Sequence, residues 1–480
     1  MTLTKTITKP QAPRTLHGKL WDQHQVAVLD DGSELLYIDR IALHERSGAI
    51  ALRQLAKSKR KVFTPSLAFG TLDHVLDTRV GRTDQTLIPS GTEFIRVFRN
   101  EAAAAGIILF DIDDPRQGIA HVTFAEQGVA LPGLTLICAD SHTGTLGGLG
   151  AMAWGVGISE TEHALATQTL NLVRPKTMRV TIDGNIGIEA SAKDIVLKLI
   201  GQVGVTGGVG HMVEFAGSAI RQLSIEGRMT LCNMAVEFGA WSAIVAPDAS
   251  TFAYIEGRPY APTGAAWKTA METWSHLRTD DGAVFDKEVA LDVGELGPQV
   301  SWGTNPGQVV SVAGTVPDLA AILDPVARAA AKASLDYMGL APGQPLEGVP
   351  INAVFIGSCT NARLADLRSA AAILKGRKIA ASISKAIVVP GSSDVKKRAE
   401  AEGLHNIFLD AGFEWRESGC SLCFFGGGEA FPAGARVAST TNRNFENRQG
   451  PGIRTHIMSP ATAAASSLAG ALADPRKVGA

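Results

Sequence analysis

Three of the five cysteines in this 480-residue chain have a spacing that could hold a metal centre. Cys420 and Cys423 form a C-x-x-C pair preceded by glycine, and Cys359 lies in Gly357-Ser-Cys-Thr-Asn361. Three thiolate ligands leave one coordination position open, and an open position on a Lewis acid is where chemistry takes place. The spacing alone leaves three possibilities: a metal or iron–sulfur cluster, buried structural thiols, or redox-active cysteines.

Histidines close to acidic residues form the second group that could do chemistry. Asp73 and His74 are adjacent, and Asp140-Ser-His142 follows a predicted strand over 134–139, while His121 lies between apolar residues. A carboxylate beside an imidazole fixes its tautomer and keeps a proton available, which suits a general acid. Taken alone, each histidine is more often a surface or capped residue, so the pairing only suggests catalysis.

A third candidate is the segment Thr441-Asn-Arg-Asn-Phe-Glu-Asn-Arg448. Two arginines after a predicted strand could hold a carboxylate through paired hydrogen bonds, although a solvated loop is the simpler interpretation. The glycine runs at 144–150 and 207–210 lack the strand, helix and acid of a dinucleotide-binding loop, so we interpret them as packing turns.

Composition excludes several classes of protein. The net charge is −2, with acids and bases intermixed, so we expect neither a nucleic acid nor a membrane partner. No apolar run is long enough to span a bilayer, and residues 1–14 lack the apolar core of a secretory signal. Five irregularly spaced cysteines do not form a disulfide framework, which favours a reducing, cytoplasmic location.

Short apolar strands alternate with amphipathic segments, which predicts an α/β fold. We place domain borders near residues 176 and 287, giving domains 1–176, 177–286 and 287–480. In the last third the pattern predicts strands at 351–356, 385–390, 406–410 and 435–439. Apolar spacing predicts a helix containing Leu364, Leu367, Ala371 and Leu374, and Ser459-Pro460 starts another. A capping box at Ser159 and Glu162 predicts a helix through Leu170.

Together these segments resemble the aconitase superfamily, and within it the isopropylmalate isomerase large subunits. The resemblance covers nearly the whole chain. Its motifs are Leu36-Tyr-Ile-Asp-Arg40, Asp140-Ser-His-Thr143, the segments 160–169 and 227–234, Gly357-Ser-Cys-Thr-Asn361, Gly419-Cys-Ser-Leu-Cys423 and Asn442-Arg-Asn-Phe-Glu446.

The resemblance implies three α/β/α domains around a central [4Fe–4S] cluster, without the fourth, swivelling domain. One cluster per chain would be held by Cys359, Cys420 and Cys423, with its fourth iron open to substrate. The implied acid–histidine pairs are Asp73–His74, Asp140–His121 and Glu237–His142, with His74 protonating the departing hydroxyl. The residues implied to contact the substrate or support the cluster site are Ser141, Asn233, Asn442, Arg443 and Arg448.

The reaction implied is the dehydration and rehydration of a hydroxy-dicarboxylic acid, in the first place isopropylmalate. In the family the base is a serine of a Ser-Ser-Arg motif, whereas Gly391-Ser-Ser-Asp394 here lacks the arginine. We therefore expect a separate small subunit to supply the swivelling domain and the base.

Several positions depart from the family pattern. They are Ile41, Ile50, Leu146 and the segment Phe424-Phe-Gly-Gly-Gly428. Their apolar character makes a related diacid, such as a methylmalate or dimethylmalate, an alternative substrate. Two further alternatives are an iron sensor that binds RNA without its cluster and a subunit that has lost activity.

Overall fold

The computed structural model describes residues 12–187 and 190–478. Its strands are β1 Gln25–Val28, β2 Glu34–Tyr37, β3 Arg40–His44, β4 Ala68–Thr71, β5 Ile108–Phe110, β6 Thr135–Cys138, β7 Met152–Gly155, β8 Thr169–Leu172, β9 Lys176–Asp183, β10 His211–Ala216, β11 Ser242–Val245, β12 Lys287–Asp292, β13 Gln299–Ser301, β14 Val309–Ser311, β15 Ala353–Ile356, β16 Lys385–Val388, β17 Glu414–Trp415, β18 Arg436–Ser439 and β19 Arg454–Ile457.

The helices are α1 Leu16–His24, α2 Glu45–Lys57, α3 Gly91–Ala105, α4 Ala120–Glu126, α5 Ile158–Thr167, α6 Ala192–Val203, α7 Ser218–Gln222, α8 Ile225–Met234, α9 Ala249–Ile255, α10 Gly264–Ser275, α11 Pro325–Met338, α12 Leu364–Leu374, α13 Ser393–Ala401, α14 Leu404–Ala411, α15 Pro460–Ala469 and α16 Pro475–Val478. Within the described ranges, no helix has both the length and the hydropathy needed to cross a membrane.

Three parallel sheets form the frame of the molecule. Their strand orders are β5-β4-β3-β6-β7, β11-β10-β9-β12 and β17-β16-β15-β18-β19. The inner strands β6 and β15 are buried along their whole length, as expected when helices cover both faces of a parallel sheet. Two small antiparallel sheets, β1-β2-β8 and β13-β14, lie beside them. The predicted α/β architecture is confirmed.

The strand pairing of the second sheet tests where the second domain border, predicted near residue 287, can lie. Strand β12 pairs in parallel with β9 over six residue pairs, so the second sheet continues to Asp292. A border at 287 would separate this strand from its own sheet. The division 1–176, 177–286 and 287–480 stays a prediction, and we propose to move its second border to follow Asp292.

Glycine allows the segment after β6 to lie close to the second parallel sheet and its helices. A 3₁₀ segment, Thr143–Leu149, packs against both β11 and α8. A Cβ at Gly147 would lie 1.8 Å from the carbonyl oxygen of Ala243, and one at Gly148 would lie 2.6 Å from the backbone nitrogen of Met229. Side chains therefore cannot be accommodated at these two glycines, and the close contact brings α8 next to the loop after β6.

Two local predictions were wrong. The segment predicted as a strand at 406–410 lies in α14, where Leu404, Phe408 and Ala411 face the core at helical spacing. The helix predicted from a cap at Ser159 through Leu170 is α5, Ile158–Thr167, so it begins earlier and ends earlier than expected, and Leu170 lies in strand β8. At the start of α5, Glu160 accepts a hydrogen bond at 2.6 Å from the backbone nitrogen of Gly157, the N-cap residue.

Candidate active site and metal centre

The candidate residues meet because most of them follow the carboxyl ends of parallel strands. These ends share one edge of a sheet, where ligands bind in open α/β folds. The residues concerned are His44 at the end of β3, Asp73 and His74 after β4, Asp140 to His142 after β6, Cys359 after β15, and Asn442 to Arg448 after β18.

All three candidate cysteines are buried and free of disulfides. Cys359 follows β15, and Cys420 and Cys423 bound one turn of 3₁₀ helix. The neighbouring serines, Ser358 and Ser421, have positive φ angles of 77° and 47°. Non-glycine residues rarely adopt this region, and such strain concentrates at functional sites. The backbone is thus bent at both serines, and three thiols lie at one site.

Polar groups surround the sulfur atoms. The side-chain amides of Asn233 and Asn442 donate to Cys359 Sγ at 3.1 and 3.4 Å. The hydroxyl of Ser358 lies 3.2 Å from Cys423 Sγ. Hydrogen bonds to sulfur are a means by which proteins adjust metal–thiolate centres. These donors therefore fit cysteines that bind a metal as thiolates.

The thiols are poor acids without a metal. Burial, together with the charges of Cys423 and Asp140, raises the pKa of Cys359 to about 12. Burial and nearby charges, that of Asp73 first among them, hold the pKa of Cys420 well above its ordinary value. A bound cation would remove this penalty, because a coordinated thiol is deprotonated outright.

The spacing of the sulfur atoms favours a cluster over one ion. Among the described residues, the only group of three or more such ligands lying within 4.8 Å of one another is His44, Glu45, Asp73 and His74. At least two of the three sulfur atoms therefore lie more than 4.8 Å apart, whereas a 2.3 Å bond in a single tetrahedral zinc site puts them about 3.8 Å apart. An iron–sulfur cluster fits this wider spacing.

Asp140 is the centre of a histidine network. Its carboxylate lies 3.0 Å from His74 Nε2 and 2.9 Å from His121 Nε2, and it accepts the backbone N–H of His142 at 2.7 Å. The other ring nitrogen of His74 is 2.5 Å from Asp73. The structure thus places His74 between two carboxylates and joins the first and second predicted pairs into one network.

The pKa values follow from these contacts. Burial disfavours the charged form of His74, but the charges and hydrogen bonds of Asp73 and Asp140 outweigh it and raise its pKa well above the usual value. Burial is likewise outweighed at Asp140, where His121, His142 and His74 hold the pKa well below its ordinary value. His74 therefore keeps its proton at neutral pH.

The third pair includes an arginine. His142 Nε2 lies 2.8 Å from Glu237, which follows α8. Arg443 Nε donates to the same carboxylate at 3.1 Å. Burial opposes ionisation of Glu237, but His142 and Arg443 lower its pKa. No described residue accepts a hydrogen bond from the two terminal nitrogens of Arg443, so they remain available to an anionic ligand.

A model of the aconitase family (aconitate hydratase) matches residues 18–470. The chain belongs to the aconitase family. It is 53% identical over 463 residues to the protein named 3-isopropylmalate dehydratase large subunit 1 of Bradyrhizobium diazoefficiens, covering 96% of each chain. The predicted family, fold class and enzyme class, a hydro-lyase, are confirmed by these two findings.

Sequence reasoning missed His44 and Glu45, although they too are a histidine and an acid in sequence at a strand end. The carboxylate of buried Glu45 accepts the backbone N–H groups of Asp73 and Val75 at 3.0 and 2.6 Å. It therefore fixes the turn that presents His74. Because this carboxylate and that of Asp73 are already hydrogen-bonded, we interpret the four-residue group as a support for His74 and not as a metal site.

The positions that depart from the family pattern do not share one environment. Ile41 and Leu146 lie in the hydrophobic core, and Ile50 faces a groove between α2 and α3. Phe424 is the one that borders the site, with its ring 5.9 Å from that of His74. Arg448 packs over the Phe424 ring at 5.7 Å. Only the Phe424–Gly428 segment therefore shapes the cleft beside His74.

Ser141 and Ser421 are each next to a candidate site residue in the chain. Ser141 is exposed, with its hydroxyl 3.3 Å from His142 Nδ1. The buried hydroxyl of Ser421 has no hydrogen-bond partner among the described residues and lines the cleft that contains His74. Its position between the two cysteines gave no signal in the sequence, because serine is common in such turns.

Proposed function

We propose that the chain is the large subunit of a [4Fe–4S]-dependent hydro-lyase that interconverts 2- and 3-isopropylmalate by dehydration and rehydration. The observation that carries the proposal is the meeting of three buried thiols with the network centred on Asp140. The relative named 3-isopropylmalate dehydratase large subunit 1 supports the choice of substrate.

Cys359, Cys420 and Cys423 would hold the cluster. When bound, it supplies an open Lewis-acid position that polarises the bond between the substrate carbon and its hydroxyl. Asn233 and Asn442 would support it through their hydrogen bonds to Cys359.

His74 is the proposed general acid. A departing hydroxide is a poor leaving group at neutral pH, so a proton must reach it as the bond breaks. Asp73 and Asp140 keep the imidazole of His74 protonated, and Glu45 fixes the turn before it. His121 contributes through Asp140, with which it shares a hydrogen bond at 2.9 Å.

Arg443, Arg448 and Ser141 are proposed to hold the substrate carboxylates and hydroxyl. Glu237 orients Arg443 through Nε and holds His142, so the guanidinium presents its two outer nitrogens as a pair. Paired donors match the geometry of a carboxylate. Charge developed next to a substrate carboxylate is then stabilised by fixed cations.

A separate small subunit is proposed to provide the base. The serines of Gly391-Ser-Ser-Asp394, Ser392 and Ser393, are otherwise engaged. Ser392 is buried, caps α13 and donates to Glu126 at 2.6 Å, and Ser393 lies 3.1 Å from the hydroxyl of Ser418. Exposed apolar side chains offer a surface for such a partner; they include Leu87, which lines the cleft, and Val80 and Phe445.

A second candidate substrate is a smaller diacid such as a methylmalate. Phe424 favours it, because an aromatic ring beside His74 reduces the space for a branched substituent. The choice between the two substrates depends on this residue and on the small subunit.

A cytoplasmic location is proposed from the cysteines. The five described cysteines are free and buried, and three of them are assigned to an oxygen-sensitive centre. A reducing compartment suits both properties.

Purification without oxygen tests the function. The proposal expects a brown protein with about four iron and four sulfide per chain, and turnover of 2-isopropylmalate only after a cognate small subunit is added. Colourless protein that binds zinc and stays inactive with that subunit would contradict it.

A further inference from the structure

A lysine is completely buried behind the candidate metal centre. Lys193 lies in the first turn of α6, and its side chain has no exposed surface. Lysine is among the residues least often fully buried unless it is paired with an acid. Its position therefore needs an explanation that the proposed reaction does not give.

The ammonium group of Lys193 is bonded to neutral acceptors. It donates to the backbone oxygens of Thr440 and Thr441 at 2.9 and 2.7 Å and to the side-chain oxygen of Asn361 at 3.2 Å. No carboxylate oxygen lies within 4.0 Å of it among the described residues. Its hydrogen bonds are satisfied, but its positive charge has no direct counter-charge.

These contacts lie directly behind the cluster ligands. Asn361 is two residues from Cys359, and Thr441 precedes Asn442, which donates to Cys359 Sγ. The charges of Cys359 and Cys423 both act on Lys193. Burial lowers the pKa of Lys193 to about 7, and the charge of Asp366 opposes that shift most, followed by those of Cys359, Cys423 and Asp194. Three thiolates around an iron–sulfur core would give the site a negative charge next to this lysine.

We propose that Lys193 is a positioning residue that supplies the counter-charge for the iron–sulfur cluster, raising its reduction potential and stabilising its bound state. The inference rests on the proposed function, because it requires a cluster at the three cysteines. A buried cation stabilises a nearby anion strongly where the dielectric constant is low. Reduction adds negative charge, so the lysine favours the reduced cluster.

Three variants separate charge from hydrogen bonding. Lys193→Arg keeps the charge, Lys193→Gln keeps N–H donors without charge, and Lys193→Met keeps neither. Lys198→Met is the matched control, because Lys198 is on the same helix but exposed. The readout is the one-electron reduction potential of the cluster, measured by electron paramagnetic resonance in the oxygen-free enzyme with its small subunit, together with iron content.

If Lys193 acts through its charge, both neutral variants lower the equilibrium constant for cluster reduction at least tenfold. For a one-electron couple this is a fall in reduction potential of about 59 mV or more. Lys193→Arg and Lys198→Met stay near the wild-type value. If the neutral variants fold but lose their iron while Lys193→Arg keeps it, iron content shows the same requirement for charge.

The proposal is overturned if Lys193→Gln has the wild-type reduction potential and full iron content, because hydrogen bonding without charge would then be sufficient to maintain the cluster. This holds even if Lys193→Met fails to fold. Absence of a cluster from the wild-type protein is a different result, since it contradicts the proposed function itself. The two failures are therefore distinguishable in one experiment.

Discussion

The imidazole rings of His44 and His74 are stacked, with their centroids 3.9 Å apart and their planes 21° from parallel. Two imidazolium rings this close would repel each other, so one ring takes the charge. Burial and the charge of His74 lower the pKa of His44 to about 4, whereas Asp73 and Asp140 raise that of His74. His44 is therefore a neutral support against which the charged ring of His74 is held.

The protonation state of His74 predicts the pH dependence of turnover. A general acid works in its protonated form, which is present below its pKa in the folded protein and lost as the pH rises through it. Asp73→Asn removes the main charge that raises this pKa. We expect the alkaline limb of kcat to move to lower pH and kcat at neutral pH to fall about 100-fold.

The measurement is the pH–rate profile of the complex with its small subunit. Asp84→Asn is the control, because Asp84 pairs with Arg99 at the surface and should leave the profile unchanged. An unmoved alkaline limb in Asp73→Asn would show that His74 is not the acid.

The cysteine assignment predicts a selective loss of iron. Cys423→Ser removes one of three proposed ligands, so we expect a marked fall in bound iron and loss of turnover, with the far-ultraviolet circular dichroism unchanged. Cys232→Ala is the control, since Cys232 is buried in the core of the second sheet and not at the site. Iron and turnover retained in Cys423→Ser would refute the ligand set, and their loss in Cys232→Ala would point to a general folding defect.

Sequence patterns predicted the sheet that carries Cys359 because its signals are local. The helix containing Leu364, Leu367, Ala371 and Leu374 matches α12, and Ser459 is the N-cap of α15 as expected. The error at 406–410 has a physical cause: a short apolar run fits a strand and a helix equally well, and packing decides between them.

The missed site residues depend on contacts between distant segments. Lys193 donates a hydrogen bond to Thr440, which is 247 residues away in the sequence. Glu45 accepts one from Asp73, 28 residues away, and so fixes the turn there. A lysine at the start of an amphipathic helix gives no local signal of complete burial. The motifs could therefore identify residues that do chemistry, but not those that hold them in place.

Arg443 should contribute to substrate binding through its geometry. Arg443→Lys keeps the positive charge but loses the paired donors and the Nε contact with Glu237. We expect KM to rise by about tenfold or more, with a smaller change in kcat, because the bidentate hydrogen bond to a carboxylate is lost. Steady-state kinetics of the complex measure both constants.

The control is Arg96→Lys, since Arg96 is exposed and pairs with Glu93 on the same helix. A KM unchanged in Arg443→Lys would remove this residue from the proposed carboxylate site.

The raised pKa of the buried Glu126 carboxyl group predicts how the stability of the protein depends on pH. Burial raises its pKa to about 7 from an ordinary 4.5, so the folded state binds this proton more tightly than the unfolded state. Its contribution to stability therefore falls as the pH rises from the lower value to the higher one. Glu126→Gln removes this dependence and should stabilise the protein at pH 8 relative to pH 5, by on the order of 3 kcal/mol.

Anaerobic denaturant unfolding at the two pH values measures the difference. Glu256→Gln is the control, because Glu256 is exposed. Equal effects of Glu126→Gln at pH 5 and pH 8 would mean that the carboxylate is not held protonated by its surroundings.

Phe424 should decide between the two candidate substrates. Its ring lies beside His74 and between Arg448 at 5.7 Å and Arg46 at 5.6 Å, so it restricts the space next to the proposed general acid. Phe424→Ala enlarges the cleft, and a larger substituent gains more from that space than a methyl group does. A pocket distinguishes such groups by about 1–3 kcal/mol per methylene.

We therefore expect the ratio of kcat/KM for 2-isopropylmalate to that for 2-methylmalate to rise at least tenfold in Phe424→Ala. Ile50→Ala is the control, because Ile50 lies in the separate groove between α2 and α3 and should leave the ratio unchanged. If Phe424→Ala changes kcat/KM equally for the two substrates, the aromatic ring supports Arg448 and does not select the substrate substituent. Specificity then lies on the small subunit.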